Sequence, residues 1–404
     1  MSLFEVIATP APIHPQGGRL VGAGHTPNSR QGHSVAISAS GDTAVVGAPS
    51  DGSFKGAAWV FVRSGNQWTQ QGVKLSDQAA GAGSAQGSSV ALSASGDTAI
   101  VGASREDGDR GAVRVYVRKS GVWIQQGPKL LGQGAATPAW QGESVAISAD
   151  GLTVMIGGPY DTAPGAKNRR GSVWVFSGRD GVWSQDGPPL FGSQNFGSAL
   201  QGSSVAISAD GTTAIIGGPA DSSGKGAAWV FVRKAGKWSQ QGAKLVGNGA
   251  VGRAAQGSSV AISADGNTAI VGGRADNADA GAAWVFVRRG DQWLQQGDKL
   301  FGSAAVGKAA QGSSVAISAD GSTAMVGGPA DSYGEGGAGA CWVWTRQGER
   351  WTQAGGKLVG GGAVPPSRFG SSVAVSADGG TAVIGGPLDD QNNRGATWVF
   401  SAIR

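Results

Sequence analysis

A Gln-Gly pair, or its counterpart Phe369-Gly370, recurs along this chain at Gln31, Gln86, Gln141, Gln201, Gln256, Gln311 and Phe369. The intervals are 55, 55, 60, 55, 55 and 58 residues. A period of that length means that one supersecondary unit is repeated, so the 404 residues read as one array rather than as the two or three domains that length alone suggests. Each unit holds four short apolar runs. In the fifth they are Gly257–Ala264 (GSSVAISA), Thr268–Gly273 (TAIVGG), Gly281–Arg288 (GAAWVFVR) and Trp293–Leu300 (WLQQGDKL). Each run is rich in Val, Ile, Phe or Trp and is bounded by Gly, Asp, Asn or Pro, and no window of helical length carries a 3.6-residue apolar period. The unit is therefore four strands, a to d, in an up-and-down sheet. The Asp265-Gly266 step between the first two suits a tight hairpin, because glycine accepts positive φ.

Composition supports this and excludes two alternatives. Glycine is 73 of 404 residues, but it lacks the every-third spacing of collagen. The 14 Trp and 11 Phe sit in regular apolar runs, which argues against disorder.

Strand order follows from proline and lysine. Pro128, Pro188 and Pro189 all fall in the fourth run, and a residue without an N–H belongs on a sheet edge. Lys74, Lys129, Lys244, Lys299 and Lys357 mark the same run, as expected of a blunted edge. The fourth strand is thus the outer rim, and the small Ser- and Ala-rich first strand lines the centre. The seventh unit stops at Trp398-Val399-Phe400 with no fourth run. The N-terminal segment supplies one: Pro15–Gly22 (PQGGRLVG) matches Gln240–Gly247 (QQGAKLVG), with Ile13 in the place of the Trp. Such an exchange closes a ring and removes its open edges. The chain is predicted to be an all-β, seven-bladed β-propeller with four antiparallel strands per blade, closed by the N-terminal strand completing the last blade. Residues 1–12 are an extension, and 13–404 form one domain. The blades cover about 31–75, 86–130, 141–190, 201–245, 256–300, 311–358 and 369–402 plus 13–20.

The seventh unit reads Phe369-Gly370-Ser371-Ser372-Val373-Ala374, then Gly385-Gly386-Pro387, then Gly395-Ala396-Thr397-Trp398-Val399-Phe400, and the first carries Gly47-Ala48-Pro49. In these motifs the chain resembles the FG-GAP repeat of the integrin α-subunit propeller, and more closely its short bacterial relatives. The resemblance runs over residues 13–402 and implies the propeller fold; it also implies a binding or adhesion module, lectin-like in some propellers, in an extracellular or periplasmic setting. Many FG-GAP repeats carry a calcium loop, D-x-D-x-D-G-x-x-D, between strands a and b. Here that place holds S-A-D-G or S-A-S-G, as at Ser208–Gly211, and one carboxylate does not supply six to eight oxygens. No metal or cofactor is expected.

The functional search is mostly by elimination. The single Cys341 excludes an internal disulfide and a Cys-rich zinc site. The three His (His14, His25, His33) cluster near the N-terminus, and no H-E-x-x-H, phosphate loop or dinucleotide fingerprint occurs. This reads against an enzyme. The net charge of +5 is spread without a basic stripe, so nucleic acid is not expected. No apolar run reaches the ~20 residues of a membrane span, and Met1–His14 has no basic-then-apolar leader. The oligomeric state is open, and a monomer fits.

In a propeller the d–a and b–c loops share one face, and here they are the long, variable ones, so that face is the candidate binding face. Six acids follow the strand-b glycines (Asp51, Glu106, Asp161, Asp221, Asp276, Asp331), and Asp389 makes seven. They read either as turn caps or as a polar ring for sugar hydroxyls or cations. The repeated Trp residues read either as inter-blade packing or as sugar platforms partnered by Gln71, Gln126, Gln241 and Gln296. Departures from the repeat say more, because the fold does not demand them. Blade 3 has an enlarged b–c loop, Pro159–Gly171, carrying Tyr160, Asp161, Lys167, Arg169 and Arg170; Trp140 precedes the blade, and Glu143 stands where most units have Ser. His33 takes that Ser place in blade 1, Arg114 replaces the strand-c Trp in blade 2, and Tyr333 and Glu335 mark the blade 6 loop. A carbohydrate or protein ligand bound over blades 1–3 is the leading expectation. The alternatives are an enzyme with one pocket near Glu143 and His33, and a structural scaffold.

Overall fold

The computed structural model describes residues 13–401, apart from 78, 137, 163–167, 333, 335 and 336. Of the features singled out in the sequence, the N-terminal extension, Lys167, Tyr333 and Glu335 lie outside the described residues. The chain forms seven four-stranded antiparallel sheets. In blade 5 strands a to d are Gln256–Ile262, Thr268–Gly273, Ala282–Arg289 and Gln292–Gln295, hydrogen-bonded in that order. Strand b is buried along its whole length and strand d alternates exposed and half-buried, so d is the rim, as the prolines require. Helical backbone in the described residues is confined to single turns in b–c loops, such as Asp51–Phe54, and these contain left-handed residues.

Blade 7 has strands a to c at Ser372–Val375, Thr381–Gly386 and Ala396–Ser401, and its outer strand is His14–Pro15. His14 lies opposite Ser401, Pro15 opposite Phe400, and Leu20 bridges Thr397. This is the register of blade 4, where Ser239 faces Val232 and Gln240 faces Phe231. Ile13 packs on the cluster holding Trp398 and Phe400, the place of the rim Trp elsewhere.

Three repeated devices join each blade to the next. The strand-a Ser hydroxyl of one blade donates to a glycine carbonyl of the following blade, from Ser34 to Gly87 around to Ser372 and Gly32, at 2.7–2.9 Å. On the opposite face each a–b turn passes one backbone bond onward: Ala39, Ala94, Ala149, Ala209, Ala264, Ala319 and Ala377 each donate N–H to the next, and Ala377 donates to Ala39, all at 2.9–3.0 Å. Third, the repeat Gln side chain closes onto the backbone nine residues earlier. In blade 5 the Gly247 N–H donates to Gln256 Oε1 at 2.6 Å, and Gln256 Nε2 donates to the Gly247 carbonyl at 3.1 Å. A buried amide that satisfies both groups of a loop residue acts as one extra rung of sheet.

The glycine after that Gln is needed for its space and its backbone. Gly87 has φ +85°, and a Cβ there would lie 2.3 Å from the Ala57 carbonyl of the preceding blade. The strand-c Trp explains a second glycine. A Cβ on Gly247 would come within 2.2 Å of Trp284, which is fully buried against it.

The N-terminal strand should therefore be worth a blade edge. Removing residues 1–22 is expected to lower Tm by about 10 °C or more. A circular permutant carrying residues 11–22 after Arg404 should restore it to within a few degrees. Differential scanning calorimetry on the two chains reads this; equal Tm for the truncated and full chains would refute it.

Candidate functional site

The acidic residues of the b–c loops are buried, and each is held on two sides. Asp276 accepts the Val251 N–H at 2.6 Å on one oxygen and the Lys299 ammonium at 2.5 Å on the other. Asp51 with Lys74, Asp221 with Lys244, and Asp331 with Lys357 repeat the pair, and Arg19 serves Asp389. The rim lysines thus tie the outer strand to the loop in addition to blunting the edge. Blade 3 tests the logic: Pro189 occupies the lysine position, and Asp161 takes the Ser172 hydroxyl at 2.6 Å instead, while keeping the Ala136 N–H.

The Trp residues are equally engaged. Those of strand c, such as Trp59, Trp174, Trp229, Trp284 and Trp342, are fully buried. Each indole N–H donates to a loop carbonyl, as Trp284 does to Asn248 at 2.7 Å. The rim Trp residues bond across blades: Trp123 donates to Gln71, Trp183 to Gln126, Trp293 to Gln241 and Trp351 to Gln296, at 2.9–3.1 Å. The four glutamines considered as sugar partners face these indoles. Where Asp186 replaces the Gln, Trp238 Nε1 is left without a partner and Arg233 pairs with the aspartate instead.

Arg114 belongs to a coordinated exchange inside blade 2. It stands in the strand-c Trp position, 1% exposed. Asp77 stands where other blades have the glycine beneath the Trp, and Glu106 replaces the loop Asp. The guanidinium meets Glu106 in a fork at 2.6 and 2.8 Å and Asp77 at 2.8 Å, and Lys129 adds a bond to Glu106 at 2.8 Å. Burial pulls the Glu106 and Asp77 carboxyls up, but hydrogen bonds and charge from Arg114, with Lys129, outweigh it and hold both below the usual carboxylate range. A packed indole on glycine has been replaced by a buried ionic cluster of like position.

What is left forms a patch on the loop face across blades 2 and 3. The Arg105 guanidinium lies 3.5 Å above the Trp140 ring, Trp140 and Tyr160 meet with ring centroids 4.0 Å apart, and the Arg169 guanidinium sits 4.8 Å from the Tyr160 ring. Arg170 lies 3.3 Å over Phe191, and its buried Nε has no partner; burial lowers its pKa against the pull of Asp161. Glu143, whose backbone N–H donates to the Trp140 carbonyl, has its carboxyl pKa raised by burial, against a hydrogen bond from Ser104 and the Arg105 charge. His33 is at the same repeat position in blade 1. Its ring reaches solvent, yet crowding by the surrounding chain, with the Arg30 charge, pushes its pKa down to about 4.

The structure thus brings Trp140, Glu143, Tyr160 and Arg169 together, sets Arg170 beside them and Asp161 beneath them, and leaves His33 in a different blade and Arg114 inside the fold. Arg105, Ser104 and Phe191 were missed by sequence reasoning. Arg105 carries the same signal as its neighbours, since Ser50, Ala220, Ala275, Ala330 and Leu388 hold its position in other units. Among the described residues no cluster of His, Cys, Asp and Glu suits a metal ion, and no helix is long and apolar enough to cross a membrane.

In blade 7 Phe369 replaces the repeat Gln and packs edge-on against Trp398 and Phe400, with centroids 5.3 and 6.0 Å away. Residues 351–400 match the family model of the FG-GAP repeat. The chain is a seven-bladed β-propeller carrying an FG-GAP repeat. The match covers the rim strand of blade 6 and strands a to c of blade 7, the unit in which Phe stands before the glycine. No curated protein matches the chain. FG-GAP propellers are commonly ligand-binding or adhesion modules.

The blade 2 exchange yields a sharp expectation. Arg114→Met leaves the buried Glu106 and the half-buried Asp77 short of their partner and should cost roughly 3 kcal/mol in denaturant unfolding at pH 7. Both carboxyls are depressed in the folded state, so the stability they contribute is present above their ordinary range and lost as pH falls through their folded values. The gap between Arg114→Met and the parent should accordingly narrow near pH 3. The triple variant Asp77→Gly, Glu106→Asp, Arg114→Trp should recover most of the loss, because it rebuilds the arrangement of blade 5.

Proposed function

We propose that this propeller is a binding module that docks a protein partner on its loop face across blades 2 and 3. The observation that carries this is the stack Arg105–Trp140–Tyr160–Arg169, four side chains that no repeat position requires. Trp, Tyr and Arg are the residue types that dominate binding energy at protein interfaces. Loops on a rigid ring hold them at low entropic cost.

Protein is favoured over carbohydrate by how the rings are used. The repeated strand-c indoles are buried, and the rim indoles are bonded to glutamines of the neighbouring blade. The remaining candidate, Trp140, is half-buried and has one face covered by Arg105. With Arg105, Arg169 and Arg170 around the aromatics, the patch fits a partner surface that brings carboxylates beside an apolar anchor.

Selection of a peptide-display library on the purified propeller tests this. Acidic peptides with an apolar anchor should be enriched, should bind more weakly at high salt, and should lose at least about thirtyfold in affinity on Trp140→Ala. Selected peptides that bind the Trp140→Ala protein as well as the parent would overturn the proposal. Saturable binding to a glycan array, lost on the same change, would transfer the site to carbohydrate.

A further inference from the structure

Among the described residues, no aromatic side chain takes between blades 5 and 6 the place that Trp140 fills between blades 2 and 3. By repeat register, Arg105, Trp140 and Tyr160 correspond to Ala275, Ala310 and Ala330. These three alanines, with Ala255, line a cavity of about 720 Å³ on the loop face. That volume is within the ~300–1,000 Å³ of small-molecule sites. Two cations stand on its wall. Lys308 is paired with Asp279 at 3.2 Å. Arg274 holds a position that is Pro49, Ser104, Pro159, Pro219, Pro329 or Pro387 in the other units, and it is exposed with no ion pair or hydrogen bond among the described residues.

The chain itself shows what such a place accommodates. Between blades 2 and 3 it holds an indole under a guanidinium 3.5 Å away. Between blades 5 and 6 the guanidinium is present, one residue earlier in the repeat, and among the described residues no ring stands with it. We infer that the blade 5–6 cavity is a binding site for a small aromatic anion, a planar ring of about indole size bearing a carboxylate. The ring lies on the alanine floor, where apolar burial favours it. The carboxylate meets Arg274, whose planar fork suits it in a way a neutral substituent does not. The site is separate from the protein-docking patch, so either reading stands or falls without the other.

The test uses indole-3-acetate as the probe, with neutral indole beside it, in isothermal titration calorimetry on the full chain. Indole-3-acetate should bind one site with Kd at or below about 1 mM, the scale expected for a ligand of its size. Indole should bind at least about tenfold more weakly, and Arg274→Ala should weaken indole-3-acetate by about tenfold while leaving indole unchanged. Ala310→Trp should abolish binding of both. That substitution copies Trp140, and both positions share the same left-handed backbone, φ +55° at Ala310 and +58° at Trp140. The fold of this variant is checked by an unchanged Tm, and Ala330→Leu is a second way to fill the cavity. No saturable binding of indole-3-acetate, binding that survives both filling substitutions, or equal affinity for indole and its acid would each overturn the inference.

Discussion

The whole molecule hangs on the close approach of neighbouring blades at the axis. Two circles of hydrogen bonds pass from blade to blade there. One runs from serine hydroxyl to glycine carbonyl, the other from alanine amide to alanine carbonyl, and in each the seventh member returns to the first. Such contact is possible only where side chains are missing. A Cβ on Gly272 would sit 2.2 Å from the Gly312 carbonyl of the next blade. The glycines at these blade contacts are therefore a packing requirement, and the large residues that fill the widening space between blades follow outward from them. The buried strand-c Trp rests on its own glycine, and the rim Trp reaches a glutamine of the neighbouring blade.

This geometry decides which repeated residues are free for a ligand. Most loop acids are paired with rim lysines, most of the loop backbone is capped by buried glutamines, and most indoles donate to fixed carbonyls or amides. Sevenfold repetition of a polar or aromatic residue here marks structural use. The non-repeated residues stand on that saturated frame, and the blade 2–3 stack is the densest group of them. The alanine-lined pocket of blades 5–6 is the corresponding location, with no ring on it among the described residues, so one architectural position carries two different surfaces.

Architecture was legible in the sequence because it depends on period, turn glycines and edge prolines, each of which leaves a local trace. Even the closure by Pro15–Gly22 was readable, since the missing rim strand and its substitute share a pattern. The roles of particular side chains were harder to read. Arg114 broke the pattern as visibly as Trp140 did, yet its partners Asp77 and Glu106 are 37 and 8 residues away and together rebuild a core position. A one-position comparison shows the departure and hides its compensation. The lysines likewise announced an edge, while their pairing with loop acids 23 residues earlier depended on how strand d folds back over the b–c loop. Lys357, at 26, differs only by the longer loop.

The central claim is that the ring is continuous, with the joint between first and last blades no weaker than the other six. Site-resolved amide hydrogen exchange at Ala39, Ala94, Ala149, Ala209, Ala264, Ala319 and Ala377 measures this directly, since each amide donates to the next blade. The account predicts protection of similar size at all seven. Rapid exchange confined to Ala377, whose amide crosses the joint to Ala39, beside six protected amides, would contradict it and show an open ring.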